Sequence, residues 1–91
     1  MFLKWMLLFS ALACLGYAQY ACVWYRSAPI CGTGNDCPTT YPNMMYHADS
    51  SGNAQYCPNS FGSKCWEGEK NLCCNANVNL QNTNTYSCGS Y

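Results

Sequence analysis

The chain has 91 residues, a formal net charge near zero, 9% charged residues and nine cysteines. That length holds one small domain, and the low charge excludes a basic nucleic-acid binder that works by counterion release. One cysteine in ten residues signals a disulfide scaffold made in an oxidising compartment and argues against a reducing cytosolic enzyme. Nine is an odd number, however, and a framework of disulfides needs an even one.

Residues 1–18 read as a secretory signal peptide. Lys4 supplies the positive start, Trp5 to Leu15 is the apolar run, and Gly16-Tyr17-Ala18 offers small residues for cleavage before Gln19. The run is shorter than the roughly 20 apolar residues of a membrane anchor. A rival cut after Ala13 follows Ala11-Leu12-Ala13 and would leave Cys14 as an unpaired thiol. Ala11 to Cys14 is a poor match in residue order to a bacterial lipoprotein box. Parity favours cleavage after Ala18, which removes Cys14 and leaves a single domain, residues 19–91, with eight cysteines. Four disulfides are expected from them.

This mature chain carries only six residues of the Val/Ile/Leu/Phe set: Val23, Ile30, Phe61, Leu72, Val78 and Leu80. So few aliphatics do not make a stable core alone. Disulfides at about 2–4 kcal/mol each offset the deficit. Aromatics, among them Trp24, Tyr25, Tyr41, Tyr46, Tyr56, Trp66 and Tyr86, then do most of the packing.

In chain order, Cys22 to Arg26 is a β-prone run closed by Ser27-Ala28-Pro29. Residues 31–63 are dense in Gly, Pro, Asn, Ser and Asp, which predicts loops with turns at 32–35 and 51–53. Lys64 to Glu67 and Lys70 to Cys73 flank Gly68, the pattern of a short β-hairpin. Ala76, Val78 and Leu80 then alternate with Asn75, Asn77 and Asn79, which predicts a further, half-buried strand. No window predicts a helix, and there is no internal repeat. The expected fold is thus small, disulfide-rich, and mostly β and loops. None of the ten asparagines opens an Asn-x-Ser/Thr acceptor for N-glycosylation.

Two segments carry a resemblance. Cys22-Val-Trp-Tyr-Arg-Ser-Ala-Pro-Ile-Cys31 is similar to a C-x8-C element ending in Thr-Ala-Pro-Phe-Cys. Cys65-Trp-Glu-Gly-Glu-Lys-Asn-Leu-Cys73-Cys74 is similar to Cys-Trp-Thr-Gly-x-Lys-x-x-Cys-Cys. Between them, Cys37-Pro38-x-x-Tyr41 resembles a Cys-Pro-x-Gly-Tyr step. Together, over residues 22–74, they resemble a family of small secreted cysteine-rich domains of nematodes, other invertebrates and fungi. Ser27, Ile30 and Glu67 depart from the pattern, and Asn-Ser-Phe-Gly-Ser stands near the place of the family's Gly-Asp-Gly. The resemblance implies secretion and a disulfide-rich fold, with no settled biochemical role. The family core uses six cysteines, matched here by Cys22, Cys31, Cys37, Cys65, Cys73 and Cys74. By that implication Cys57 and Cys88 pair with each other and fasten the Asn-rich strand, the first part of the 75–91 strand and tail, onto the loop region.

Catalysis is not expected. His47 with Asp49 is the one histidine–acid pair of the mature chain, and it lies in a polar loop with nothing to identify a nucleophile. Glu67 and Glu69 read as a hydrated hairpin tip rather than paired acids, Asp36 and Asp49 being the other candidates. Zinc ligation fits poorly, since the closest spacing apart from Cys73-Cys74 is C-x5-C, and no cofactor is implied. Cys73 and Cys74 could close a vicinal ring, but adjacent cysteines in small secreted domains more often bridge in opposite directions.

The remaining reading is a secreted, extracellular, monomeric binding or interaction module in host defence or at a surface. Its candidate binding surface is Trp24, Tyr25, Tyr41, Tyr46 and Tyr56, facing a protein or a glycan. Against this, Trp24 and Trp66 would instead pack over disulfides as core. A toxin or antimicrobial peptide is the first alternative, weakened by the net charge near minus one of residues 19–91 (Arg26, Lys64 and Lys70 against Asp36, Asp49, Glu67 and Glu69), where such peptides are cationic. A small protease inhibitor is the second. It would use the loop from Cys37 to Cys57 with Met44-Met45 at its middle, though nothing marks a reactive bond.

Overall fold

The structure, a computed structural model, describes residues 20–91. The signal-peptide assignment, its cleavage sites and Cys14 lie outside the described residues. The class is the expected one: two small sheets, long loops and four disulfides, with one 3-10 turn at Pro58–Ser60.

Six strands form among the described residues: β1 (Tyr20–Tyr25), β2 (Ile30–Gly32), β3 (Asn43–Ala48), β4 (Glu67–Gly68), β5 (Lys70–Cys74) and β6 (Tyr86–Gly89). The main sheet runs β3-β5-β1-β6. β5 lies antiparallel to both β1 and β3, whereas β6 lies parallel to β1. Every residue of β5 is buried, as a central strand covered on both faces requires.

Alternation along β5 explains the adjacent cysteines. Successive side chains of a strand point to opposite faces. Cys74 stands directly across from Cys22 on β1 and bonds to it, while Cys73 points the other way and bonds to Cys37. The ring between neighbours does not form. The inner face carries Cys22, Trp24, Leu72, Cys74 and Tyr86, and on it pack Phe61, Ala54, Val78, Leu80 and the Cys31–Cys65 disulfide. Val23, Asn71 and Cys73 face the opposite way and are fully buried too. There the Asn71 side-chain amide donates to the Gly34 and Asp36 carbonyls at 2.9 and 2.8 Å, pinning the loop of Cys37 over the sheet. Cys57 and Cys88, left over from the first six cysteines, bond to each other.

The pairing differs from expectation in three places. First, no hairpin turns at Gly68. β4 instead pairs in parallel with β2, forming the second sheet, and β5 departs to the main one. The Cys31–Cys65 disulfide draws residues 65–68 onto β2. Gly68 has φ +75°, and a Cβ there would overlap the Gly32 carbonyl, so glycine serves a close backbone approach. Second, β3 crosses a stretch predicted to be loop, with a bulge between Met44 and Tyr46.

Third, the Asn-rich segment buries Val78 and Leu80 and exposes Asn75, Asn77 and Asn79, as the alternation requires, yet it joins no ladder. Its asparagine side chains make local contacts at its two ends: Asn75 Oδ1 accepts from the Ala21 N–H of β1, and Asn79 Oδ1 from the N–H of Gln81. The strand of the tail is β6, further on, and the Cys57–Cys88 bridge fastens β6 rather than the Asn-rich run.

Candidate functional site

The five aromatics singled out from the sequence do not share a surface. Trp24 is 5% exposed and belongs to the core, which corrects its place in the candidate binding surface. Its indole N–H donates to the Cys57 carbonyl at 2.9 Å, and its ring meets Phe61 edge-on with centroids 5.0 Å apart. Tyr46 and Tyr56 meet in a T-shape at 5.4 Å and lean on the inner-face core. The Tyr46 hydroxyl donates to Gln55 Oε1 at 3.3 Å. Tyr25 points away from the Trp24 side of the sheet, and with Tyr41 it converges on a residue that sequence reasoning missed, Tyr91. Tyr25 and Tyr91 stack at 5.2 Å with 26° between their planes, and Tyr41 stands 6.4 Å from Tyr91.

Trp66 was expected over a disulfide. It is instead 79% exposed, in the bend before β4, while its neighbour Cys65 turns inward to Cys31. Beside it, the Trp66 N–H donates to the Pro29 carbonyl at 2.7 Å, and the adjoining Ile30 is exposed as well. A lone tyrosine at residue 91 offers no pattern to read.

Past the end of β1 the chain bends sharply and leaves a groove of about 580 Å³, lined by Tyr25, Arg26, Ser27, Ile30, Ser90 and Tyr91 among others. Arg26 makes the bend at φ +98°, a conformation that costs an L residue on the order of 1–3 kcal/mol. Its guanidinium is divided between partners. One terminal nitrogen donates to the Cys31 carbonyl at 3.2 Å, and the other pairs with the Asp36 carboxylate. The buried Nε has no hydrogen-bond partner among the described residues. The guanidinium carbon sits 6.0 Å from the Tyr25 ring centroid. Strain and an unsatisfied donor therefore coincide at one groove, beside a stacked tyrosine pair. A second groove, of about 560 Å³, lies over the Cys57–Cys88 bridge and includes Tyr56, Pro58, Thr83 and Tyr86.

The candidate reactive groups are dispersed or engaged. His47 is exposed on β3, and the Asp49 carboxylate accepts from the Asn53 side chain at 2.7 Å. That hydrogen bond is the main reason the Asp49 carboxyl lies below its ordinary value. Glu67 and Glu69 are exposed near the second sheet. Met44 and Met45 lie within β3 rather than on a protruding loop, which removes the geometry of an inhibitory loop at that point. Among the described residues no group of three or more His, Cys, Asp or Glu could hold a metal ion. No helix among them is long and apolar enough to cross a membrane.

Lys70 is 6% exposed, and no carboxylate among the described residues forms an ion pair with it. Its Nζ donates to the Phe61 carbonyl at 2.6 Å and lies 4.6 Å from the centroid of the Phe61 ring. Burial holds its pKa below the ordinary lysine value.

No protein-family model, curated protein or solved structure matches the chain.

Proposed function

We propose that this is a secreted, disulfide-stapled extracellular binding module without catalytic activity, which takes a glycan or protein group into the groove past β1. The observation that carries the reading is the Tyr25–Tyr91 stack beside Arg26, whose backbone strain and unpartnered Nε are features that cluster at ligand sites. Tyr91 is 63% exposed and offers a ring face to a sugar or an apolar side chain. Ser27 and Ser90 add hydroxyls at the rim. Four disulfides in a chain this small support an extracellular setting. The resemblance to small secreted domains of invertebrates and fungi is part of the same reading. Its six cysteines pair among themselves here, which supports it.

The test is a glycan array and an affinity capture from extracellular fluid, both with fully oxidised protein and with Tyr91→Ala. Retention of a ligand by the parent, weakened about tenfold or more in the variant, is expected of an exposed aromatic that anchors binding. Binding that Tyr91→Ala leaves unchanged would move the site elsewhere. The absence of any ligand in both assays would overturn the reading.

A further inference from the structure

We propose that Thr39 and Thr40 are acceptors for O-linked glycosylation, an inference that rests on the secretory reading above. The segment Cys37-Pro38-Thr39-Thr40-Tyr41-Pro42 forms a turn closed by a hydrogen bond from the Tyr41 N–H to the Pro38 carbonyl at 3.0 Å. Both threonines sit at the tip and are exposed, and neither hydroxyl has a hydrogen-bond partner among the described residues. Their backbone groups join no ladder or turn bond there either. A transferase must grip an acceptor along its backbone and reach the hydroxyl, so chain already tied into a sheet is closed to it.

The prolines contribute what an acceptor needs. Each fixes its own φ near −65°, and Pro42 biases Tyr41 toward extended backbone. The Cys37–Cys73 disulfide anchors the base of the turn. A segment held this way loses little conformational freedom when an enzyme cleft closes on it. Serine and threonine flanked by proline are also the composition of O-glycosylated stalks.

Most other hydroxyls of the described chain lack one of these features, and the nearest rival, exposed Ser27 two residues before Pro29, has a proline on one side only. Ser60 follows Pro58, but its hydroxyl donates to the Cys57 carbonyl and it is only half-exposed. Thr85 donates to the Asn82 carbonyl at 2.7 Å. Ser87 donates to the Tyr20 carbonyl, and Ser50 accepts from the Asn53 N–H. Thr33 and Thr83 are exposed but have no proline beside them.

The reaction uses a sugar activated as a phosphate ester. The threonine Oγ bonds to the anomeric carbon, and the bond from that carbon to the phosphate oxygen breaks. The phosphate-bearing group departs with the electron pair, and the hydroxyl proton passes to a base of the transferase. The chain itself supplies only the acceptor.

The experiment expresses the full chain in a eukaryotic secretory host and measures the intact mass of the medium and cell fractions, with and without reduction. Export with eight hydrogens missing from the oxidised protein upholds the secretory reading independently of any sugar. The expected result is an added mass of one or two hexose or N-acetylhexosamine units, lost completely in Thr39→Ala/Thr40→Ala and kept in Thr83→Ala. Hexose and N-acetylhexosamine increments distinguish the donor, and either supports the proposal. Exported, oxidised protein of unmodified mass, or an increment that survives in the double variant, overturns it. Retention of reduced chain inside the cell overturns the secretory reading on which it stands.

Discussion

At the scale of single residues, two buried ionisable groups oppose each other. Folding lowers the Lys70 pKa by desolvation, so between that lowered value and the ordinary 10.5 the unfolded chain binds more protons than the folded one. Stability therefore rises with pH across that window. Tyr86 is shifted the other way. Burial raises its pKa above the ordinary 10.0, with a smaller contribution from Tyr56, and its hydroxyl donates to the Leu80 carbonyl. Above 10.0 the unfolded chain loses this proton first, and further alkali favours unfolding. Urea unfolding across alkaline pH, with disulfides intact, is expected to show stability climbing and then bending down as tyrosine ionises. Lys70→Met should remove the climb and keep the bend. An unchanged slope in that variant would mean that Lys70 is not the group responsible.

At the scale of elements, Gly68 decides how the second sheet meets the first. Gly68→Ala places a side chain at φ +75° against the Gly32 backbone, and is expected to lose about 1–3 kcal/mol and to loosen β2 from β4. Gly89 in β6 has open space around its would-be Cβ, so Gly89→Ala should change stability by less than about 0.5 kcal/mol. Denaturation midpoints of the two variants check the contrast, and equal losses would remove the close-approach argument. The same glycine shows why the hairpin was misread. Its flanking residues carry strand pattern, and only the distant Cys31–Cys65 link and Gly32 determine where each flank pairs. β1 was legible because Val23, Trp24 and Tyr25 favour extended chain locally. β3 was not, since its Met44-Met45 pair has little strand preference and it exists because β5 offers a second edge. Val78 and Leu80 were read correctly as buried. Their segment was misread as a strand because the alternation reports which side chains are buried, while the segment pairs with no neighbouring strand.

At the scale of the whole molecule, the core is thin and crosslinks carry much of its stability. The Cys57–Cys88 bridge joins residues 31 positions apart and secures the outermost strand, β6, to the loop beneath Trp24. Replacing both partners with serine is expected to cost about 2–4 kcal/mol while the other three disulfides still form. Hydrogen exchange should then report loss of protection along β6 before the rest of the sheet, and uniform loss would show that the bridge supports the whole fold. The aromatic groove is also a property of this scale. Tyr25 and Tyr41 were visible as candidates, but their meeting with Tyr91 depends on the parallel seating of β6 beside β1, which no local pattern encodes.

That seating has a topological consequence. Cys22–Cys74 spans one stretch of chain, and Cys57–Cys88 overlaps it and extends beyond it. A single backbone cut anywhere between Cys22 and Cys88 therefore falls inside at least one closed loop, and both pieces stay covalently joined. Between Cys57 and Cys65 a cut is spanned by all four bridges. A protease can nick this molecule once without dividing it. Without the Cys57–Cys88 bond, a nick after Cys74 would release β6 together with Tyr91. Between Cys22 and Cys88, the last disulfide turns a chain that could be trimmed into one that must be cut twice before anything is lost.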